Sequence, residues 1–180
     1  GTIARIVSES EEIYARPLEV QEALARIDAV YKPYHRTLRQ LVLDTRAEFG
    51  LAVLLDCHSM PSTVRAMHGR LRPDIVLGDR YGTSCTTELT DFAARVLTRF
   101  GYSVSRNKPY AGGFITEHYG QPARGLHAMQ IEFNRNLYMD ERTLEKSPRF
   151  EALRADLGRL VTALIIAFDA GFLARPEAAE

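Results

Sequence analysis

With 180 residues, 46% of them hydrophobic and 26% charged, the chain has the make-up of a folded domain large enough to bury a core. Lysine plus arginine and aspartate plus glutamate both total 23, so no charge excess draws it to nucleic acid or to an anionic membrane. The longest apolar run, Val161 to Phe168, is interrupted by Thr162 and is far too short to span a bilayer, and two cysteines make no disulfide framework, which favours a reducing, cytoplasmic setting.

The opening residues Gly1 to Arg5 contain no initiator methionine and no basic-then-apolar signal segment, so they read as the interior of a longer protein. Thr2 to Val7 suits a short strand or an extended segment. After Pro17 a helix is expected, with Val20, Leu24, Ile27 and Tyr31 at helical spacing and a break or kink at Pro33. The helix resumes from Tyr34 to Phe49 and stops at Gly50. Residues 51–57 read as a buried strand, uniform rather than alternating, as expected where both faces of a sheet are covered. Residues 61–73 have no period and read as a loop.

Asp74 to Leu77 is a second short strand. Ser84 is placed to cap a helix from about Cys85 to Phe100, whose buried stripe is Leu89, Ala93, Val96, Leu97 and Phe100. Tyr102 to Ser105 makes a third strand, and a glycine- and proline-rich region follows with one short element at Phe114 to Tyr119. His127 to Asn134 is the fourth strand. Its alternation sets Met129, Ile131 and Phe133 on one face and Gln130, Glu132 and Asn134 on the other. Phe150 to Phe172 is a long helix with Leu153, Leu157, Leu160, Leu164 and Phe168 along one side, and the tail from Ala174 is expected to fray. Strands alternating with helices give an α/β fold, and residues 1–180 read as a single domain.

Chemistry concentrates where strands end. Asp56-Cys57-His58-Ser59 closes the first strand, the position where ligands gather in open α/β sheets. His58 is a candidate metal ligand that Asp56 would orient, or else a hydrogen-bonded histidine at a strand end. Cys57, alternating away from His58, reads as a buried structural thiol. Glu132 is a candidate general base, or else half of a buried pair with Arg135 or a basic residue of Arg106 to Lys108. If His58 and Glu132 serve one site, they lie on one face of the sheet within about 12 Å, the reach of one metal, one water and an amide. Arg80, Arg106 and Arg135 could each grip an anionic substrate. Gly112-Gly113 fits a tight turn and matches no phosphate-binding loop. His127, on the apolar face, reads as a satisfied core histidine.

Several ordered blocks then carry a resemblance: Ile13 to Leu18, Tyr31 to His35, Leu55-Asp56-Cys57-His58-Ser59-Met60-Pro61, Asp74 to Arg80, Asn107-Lys108-Pro109-Tyr110-Ala111-Gly112-Gly113-Phe114-Ile115-Thr116, and His127 to Met139. Together they resemble the N-formylglutamate amidohydrolase (N-formylglutamate deformylase) family. The resemblance implies a three-layer α/β/α fold with a mostly parallel mixed sheet, like that of zinc carboxypeptidases. It implies a zinc-dependent amidohydrolase that splits N-formyl-L-glutamate into formate and L-glutamate, in one bacterial route of histidine degradation. On that basis His58 is the zinc-binding histidine, Glu132 the general acid/base, and Arg80, Asn134 and Arg135 the grip on substrate carboxylates. Family members also carry an earlier strand ending in a His-Ser-Gly-type motif, and no segment here matches it. The chain is therefore expected to be the C-terminal two-thirds of such an enzyme. A related N-acyl amino acid deacylase, or a non-catalytic fragment that binds without metal, stands as the alternative.

Overall fold

A computed structural model describes residues 3–6, 11–62 and 72–171. The expected loop at 61–73 lies mostly outside them, as does the tail from Ala174. The chain divides into two compact units, Gly1–Leu41 and Val42–Glu180. In the first, Ile6 and Glu12 form an isolated antiparallel bridge, and helix α1 (Val20–Arg26) leads through a π-helical turn (Ile27–Tyr31) into helix α2 (Lys32–Phe49), whose residues from Val42 onward belong to the second unit. Pro33 therefore does not break the helix. It lacks the N–H that would bond the carbonyl four residues back, and the widened turn precedes it at that point.

The second unit holds a four-stranded sheet of β1 (Ala52–Met60), β2 (Ile75–Gly78), β3 (Val104–Arg106) and β4 (Leu126–Asn134), in the order β1-β4-β2-β3. β1 pairs with β4 and β2 with β3 in parallel, while β2 and β4 run antiparallel, so the sheet is mixed and mostly parallel. Its helices are α3 (Thr87–Arg99), the short α4 (Phe114–Tyr119) and α5 (Phe150–Asp169).

The register puts Val53, Leu55, Ile75, Leu77, Met129, Ile131 and Phe133 on one face. There they pack with Leu89, Ala93 and Leu97 of α3 and Leu153, Leu160 and Leu164 of α5 in one core. The apolar stripes expected on both helices are thus the buried ones. α4 packs against β4 and β1.

Three expectations need correction. The strands buried along their whole length are β2 and β4, not β1. β1 lies at the edge of the sheet, where neighbours cover it on one side only, and most of its residues are partly accessible. Cys57 is accordingly exposed rather than a buried structural thiol; Cys85 is the buried one, its thiol pushed up to about 12 by burial. Ser84 does not cap α3. Thr86 precedes that helix, and the Ser84 hydroxyl instead donates to the Ala128 carbonyl (2.9 Å), tying the turn to β4.

Candidate active site

Because β1 and β4 are parallel and in register at His58 and Glu132, their carboxyl ends point the same way and deliver both side chains to one face. His58 Nδ1 lies 4.0 Å from Glu132 Oε1, and Nε2 lies 3.1 Å from Asp56 Oδ2. The imidazole is half-exposed and sits between two carboxylates. Glu132 itself is buried, 7% exposed. Burial raises its pKa above the ordinary carboxylate value, opposed by the His58 ring and by the Gln130 amide. The Gln130 amide donates from Nε2 to Glu132 Oε1 at 2.8 Å. Gln130 and His58, not an arginine, are thus the close partners of Glu132. Arg135 turns elsewhere, donating from Nε to Ser59 Oγ at 3.3 Å.

Asn134 ends β4, 4% exposed, and its Oδ1 accepts from Asn136 N–H (3.3 Å), capping the 3-10 turn Arg135–Leu137. Arg80 follows β2 in a tight turn where it and Tyr81 have φ of +50° and +58°. Left-handed backbone at two bulky residues is unfavourable unless the surroundings fix it. The fixing group is Asp79, fully buried. Its Oδ1 accepts from Asn107 Nδ2 (2.7 Å) and Gly82 N–H (3.1 Å), and its Oδ2 from Arg106 Nη2 (2.6 Å). Asn107 Oδ1 in return accepts from the Asp79 and Tyr81 N–H groups, at 3.1 and 3.4 Å. Burial works against the Asp79 carboxylate, yet Asn107, Arg106 and Gly82 together hold its pKa below 3.8.

Arg106 is therefore committed to Asp79 and, on its other side, to Asp91, which removes it as a candidate for gripping substrate. Arg80 remains half-accessible. Its backbone N–H donates to Ala111 O (2.8 Å), its Nη1 to Gly112 O (3.4 Å), and its Nη2 lies 3.5 Å from Glu117. Glycine is required where these segments cross. A Cβ on Gly78 would fall 2.7 Å from the Ala111 carbonyl carbon, and one on Gly112, at φ +115°, would fall 2.5 Å from Thr116 Oγ1. His127 is buried, its Nδ1 accepting from Thr86 N–H (3.4 Å) and its pKa lowered by burial, as a core histidine.

The sequence model of the N-formylglutamate amidohydrolase family matches residues 1–139. The chain belongs to that family. It is 38% identical over 146 residues to the N-formylglutamate deformylase of Pseudomonas aeruginosa, covering 81% of this chain and 53% of that protein. With the N-formylglutamate deformylase of Pseudomonas putida it shares 37% over 122 residues, 67% of this chain and 46% of that one. The chain thus spans about half the length of these curated relatives. The crystal structure of the N-formylglutamate amidohydrolase of Ralstonia eutropha superposes with a TM-score of 0.80 at 38% identity, covering 91% of this chain and 59% of that one. A gene product of Agrobacterium tumefaciens, 19% identical with a TM-score of 0.67 over 92% of this chain and 62% of its own, shares the fold.

A catalytic zinc takes three protein ligands and keeps a fourth position open. Among the described residues no group of three His, Cys, Asp or Glu side chains is arranged to hold a metal. These residues alone therefore do not fit the zinc site that the amidohydrolase resemblance implies, although His58 presents an accessible imidazole at the expected place. The residue of this cluster to which sequence reasoning gave no part is Gln130. The alternation of β4 already set it on the Glu132 face, but only the fold shows that it touches Glu132.

Proposed function

We propose that this chain is the part of an N-formylglutamate deformylase that carries the general base, Glu132. The observation that carries the reading is a buried carboxylate of raised pKa, 4.0 Å from an accessible imidazole, at the carboxyl ends of two parallel strands. Glu132 takes a proton from water as the water oxygen attacks the formyl carbon. The same carboxyl then returns that proton to the amide nitrogen as the C–N bond breaks, so formate and L-glutamate leave and the base is regenerated. Arg80, Asn134 and Arg135 hold the substrate's carboxylates. Supporting this for Arg80 are its rigid turn and its accessible guanidinium.

The zinc-carboxypeptidase-like three-layer architecture, the cytoplasmic setting and the place in histidine degradation belong to the same reading, and no described helix is long and apolar enough to cross a membrane. Zinc enters it as a property of the whole protein, with His58 as one ligand and the others supplied from outside the described residues. No step of the proton transfer above is routed through it.

Glu132→Gln tests the reading, because it keeps the side chain's shape and removes its basicity. In the full-length protein, formate release from N-formylglutamate should fall by about 10²–10⁴-fold, the range typical of losing a general base. A variant within a few-fold of wild type would return Glu132 to a structural role.

A further inference from the structure

Gln130 is 5% exposed and uses both ends of its amide. Its Oε1 accepts from Gly113 N–H at 2.8 Å and its Nε2 donates to Glu132 Oε1 at 2.8 Å. The orientation of that amide is not a free choice. A backbone N–H can only donate, so the amide oxygen must face Gly113 and the NH₂ must face Glu132. Residues two apart on a strand share a face, and glutamine is long enough to lie along the strand and reach its neighbour. The donated hydrogen bond occupies Oε1, the same oxygen that His58 faces, which leaves Oε2 to receive a proton. On its other side Gln130 grips the N–H that opens α4, and the adjoining Gly112 carbonyl accepts from Arg80. An unbroken series of contacts therefore runs from Arg80 through the Gly112–Gly113 turn and Gln130 to Glu132.

We infer that Gln130 is a positioning residue, one that fixes which oxygen of Glu132 faces the reacting water and couples that carboxylate to the turn held by Arg80. The inference rests on the reading of Glu132 as the base. A purely structural glutamine would serve only to anchor the Gly113 N–H, and two variants separate the roles. Gln130→Glu keeps an oxygen for Gly113 but turns the donor facing Glu132 into a second carboxyl. Gln130→Met keeps the length and loses both hydrogen bonds.

The experiment is steady-state hydrolysis of N-formylglutamate by the full-length protein from pH 6 to pH 9, with thermal unfolding of each variant. Gln130→Glu should lose at least fivefold in kcat at pH 9, where its new carboxyl is most ionised, and recover towards pH 6, because burial beside the Glu132 carboxylate raises the pKa of the new carboxyl and its protonated form donates as the amide does. Its KM should stay within threefold of wild type, because the Gly113 contact survives. Gln130→Met should lose kcat at every pH and also raise KM, because the Gly112–Gly113 turn that Arg80 donates to is released. A loss below fivefold in Gln130→Glu at pH 9 overturns the inference, whatever Gln130→Met does. The Gln130→Glu side chain matches the native one in shape, so that variant alone decides the matter if Gln130→Met unfolds. Glu132→Gln is assayed in parallel: an active Glu132→Gln removes the underlying mechanism, whereas an inactive one beside a fully active Gln130→Glu removes only the role given to Gln130.

Discussion

Arg80 owes its use to its backbone. A guanidinium on a mobile loop loses side-chain entropy when it binds, whereas here the turn is set by Asp79 and Asn107 before any ligand arrives. Its present carboxylate neighbour, Glu117 at 3.5 Å, is exposed, and in the function proposed for Arg80 a substrate carboxylate would take its place. Arg80→Ala should therefore raise KM for N-formylglutamate by about ten- to a hundredfold, as expected for one lost charge-assisted contact of about 1.5–3 kcal/mol. kcat should change much less. Formamides that lack the carboxylate should show little effect, and kinetics on both substrate types checks this. An equal loss on both would mean that Arg80 supports the turn rather than the substrate.

At the scale of elements, the periodicities of β4, α3 and α5 were realised, whereas Val20, Leu24 and Tyr31, at helical spacing in the first helical stretch, are exposed. The alternation of β4 places Glu132 opposite Met129 and Ile131, and the stripes of α3 and α5 are the buried ones. What the local pattern could not carry was pairing between distant segments. The exposure of β1 follows from its place at the sheet edge, which depends on Ala52 pairing with Leu126, far along the chain. The commitment of Arg106 depends on Asp79, a partner 27 residues away. The π turn before Pro33 follows from one missing donor, which a search for helix breaks reads as an end.

Two element-scale predictions follow from packing and charge. Leu97 of α3 is fully buried in the core, so Leu97→Ala should destabilise by about 2–5 kcal/mol. Ile166→Ala on α5, at a residue 61% exposed, should cost less than about 1 kcal/mol. Urea unfolding of the two variants makes the comparison. Asp79 has a folded-state pKa held below 3.8, so its contribution is fully present above that pH and is lost as pH falls through the lowered value. Asp79→Asn should therefore be less stable than wild type at pH 7, by about 3–5 kcal/mol for a broken buried ion pair. The gap should narrow as the pH is taken below 3.8, which unfolding curves from pH 7 to pH 2.5 would record.

For the molecule as a whole, metal content tests the assignment of His58. The 180-residue chain by itself should hold well under one zinc per molecule, since no described group of three ligands exists to keep it. The full-length protein should hold one, and His58→Ala in that protein should lower occupancy, read by elemental mass spectrometry. Full occupancy of the short chain by three of its own residues would overturn the ligand assignment.

The strand order also sets a timetable. β1 and β2 are successive in the chain but are not neighbours in the sheet, because β4 occupies the place between them. Among the described strands, β1 has no partner until Leu126–Asn134 has left the ribosome, and β2 has only β3. His58 must therefore wait for the segment between it and β4 to be made before Glu132 arrives beside it, and the two become neighbours only as β4 is inserted between β1 and β2. Nascent chains stalled just before Leu126 should accordingly be digested rapidly by protease within β1 (Ala52–Met60). Chains extended far enough for the end of α5 to emerge should be protected there.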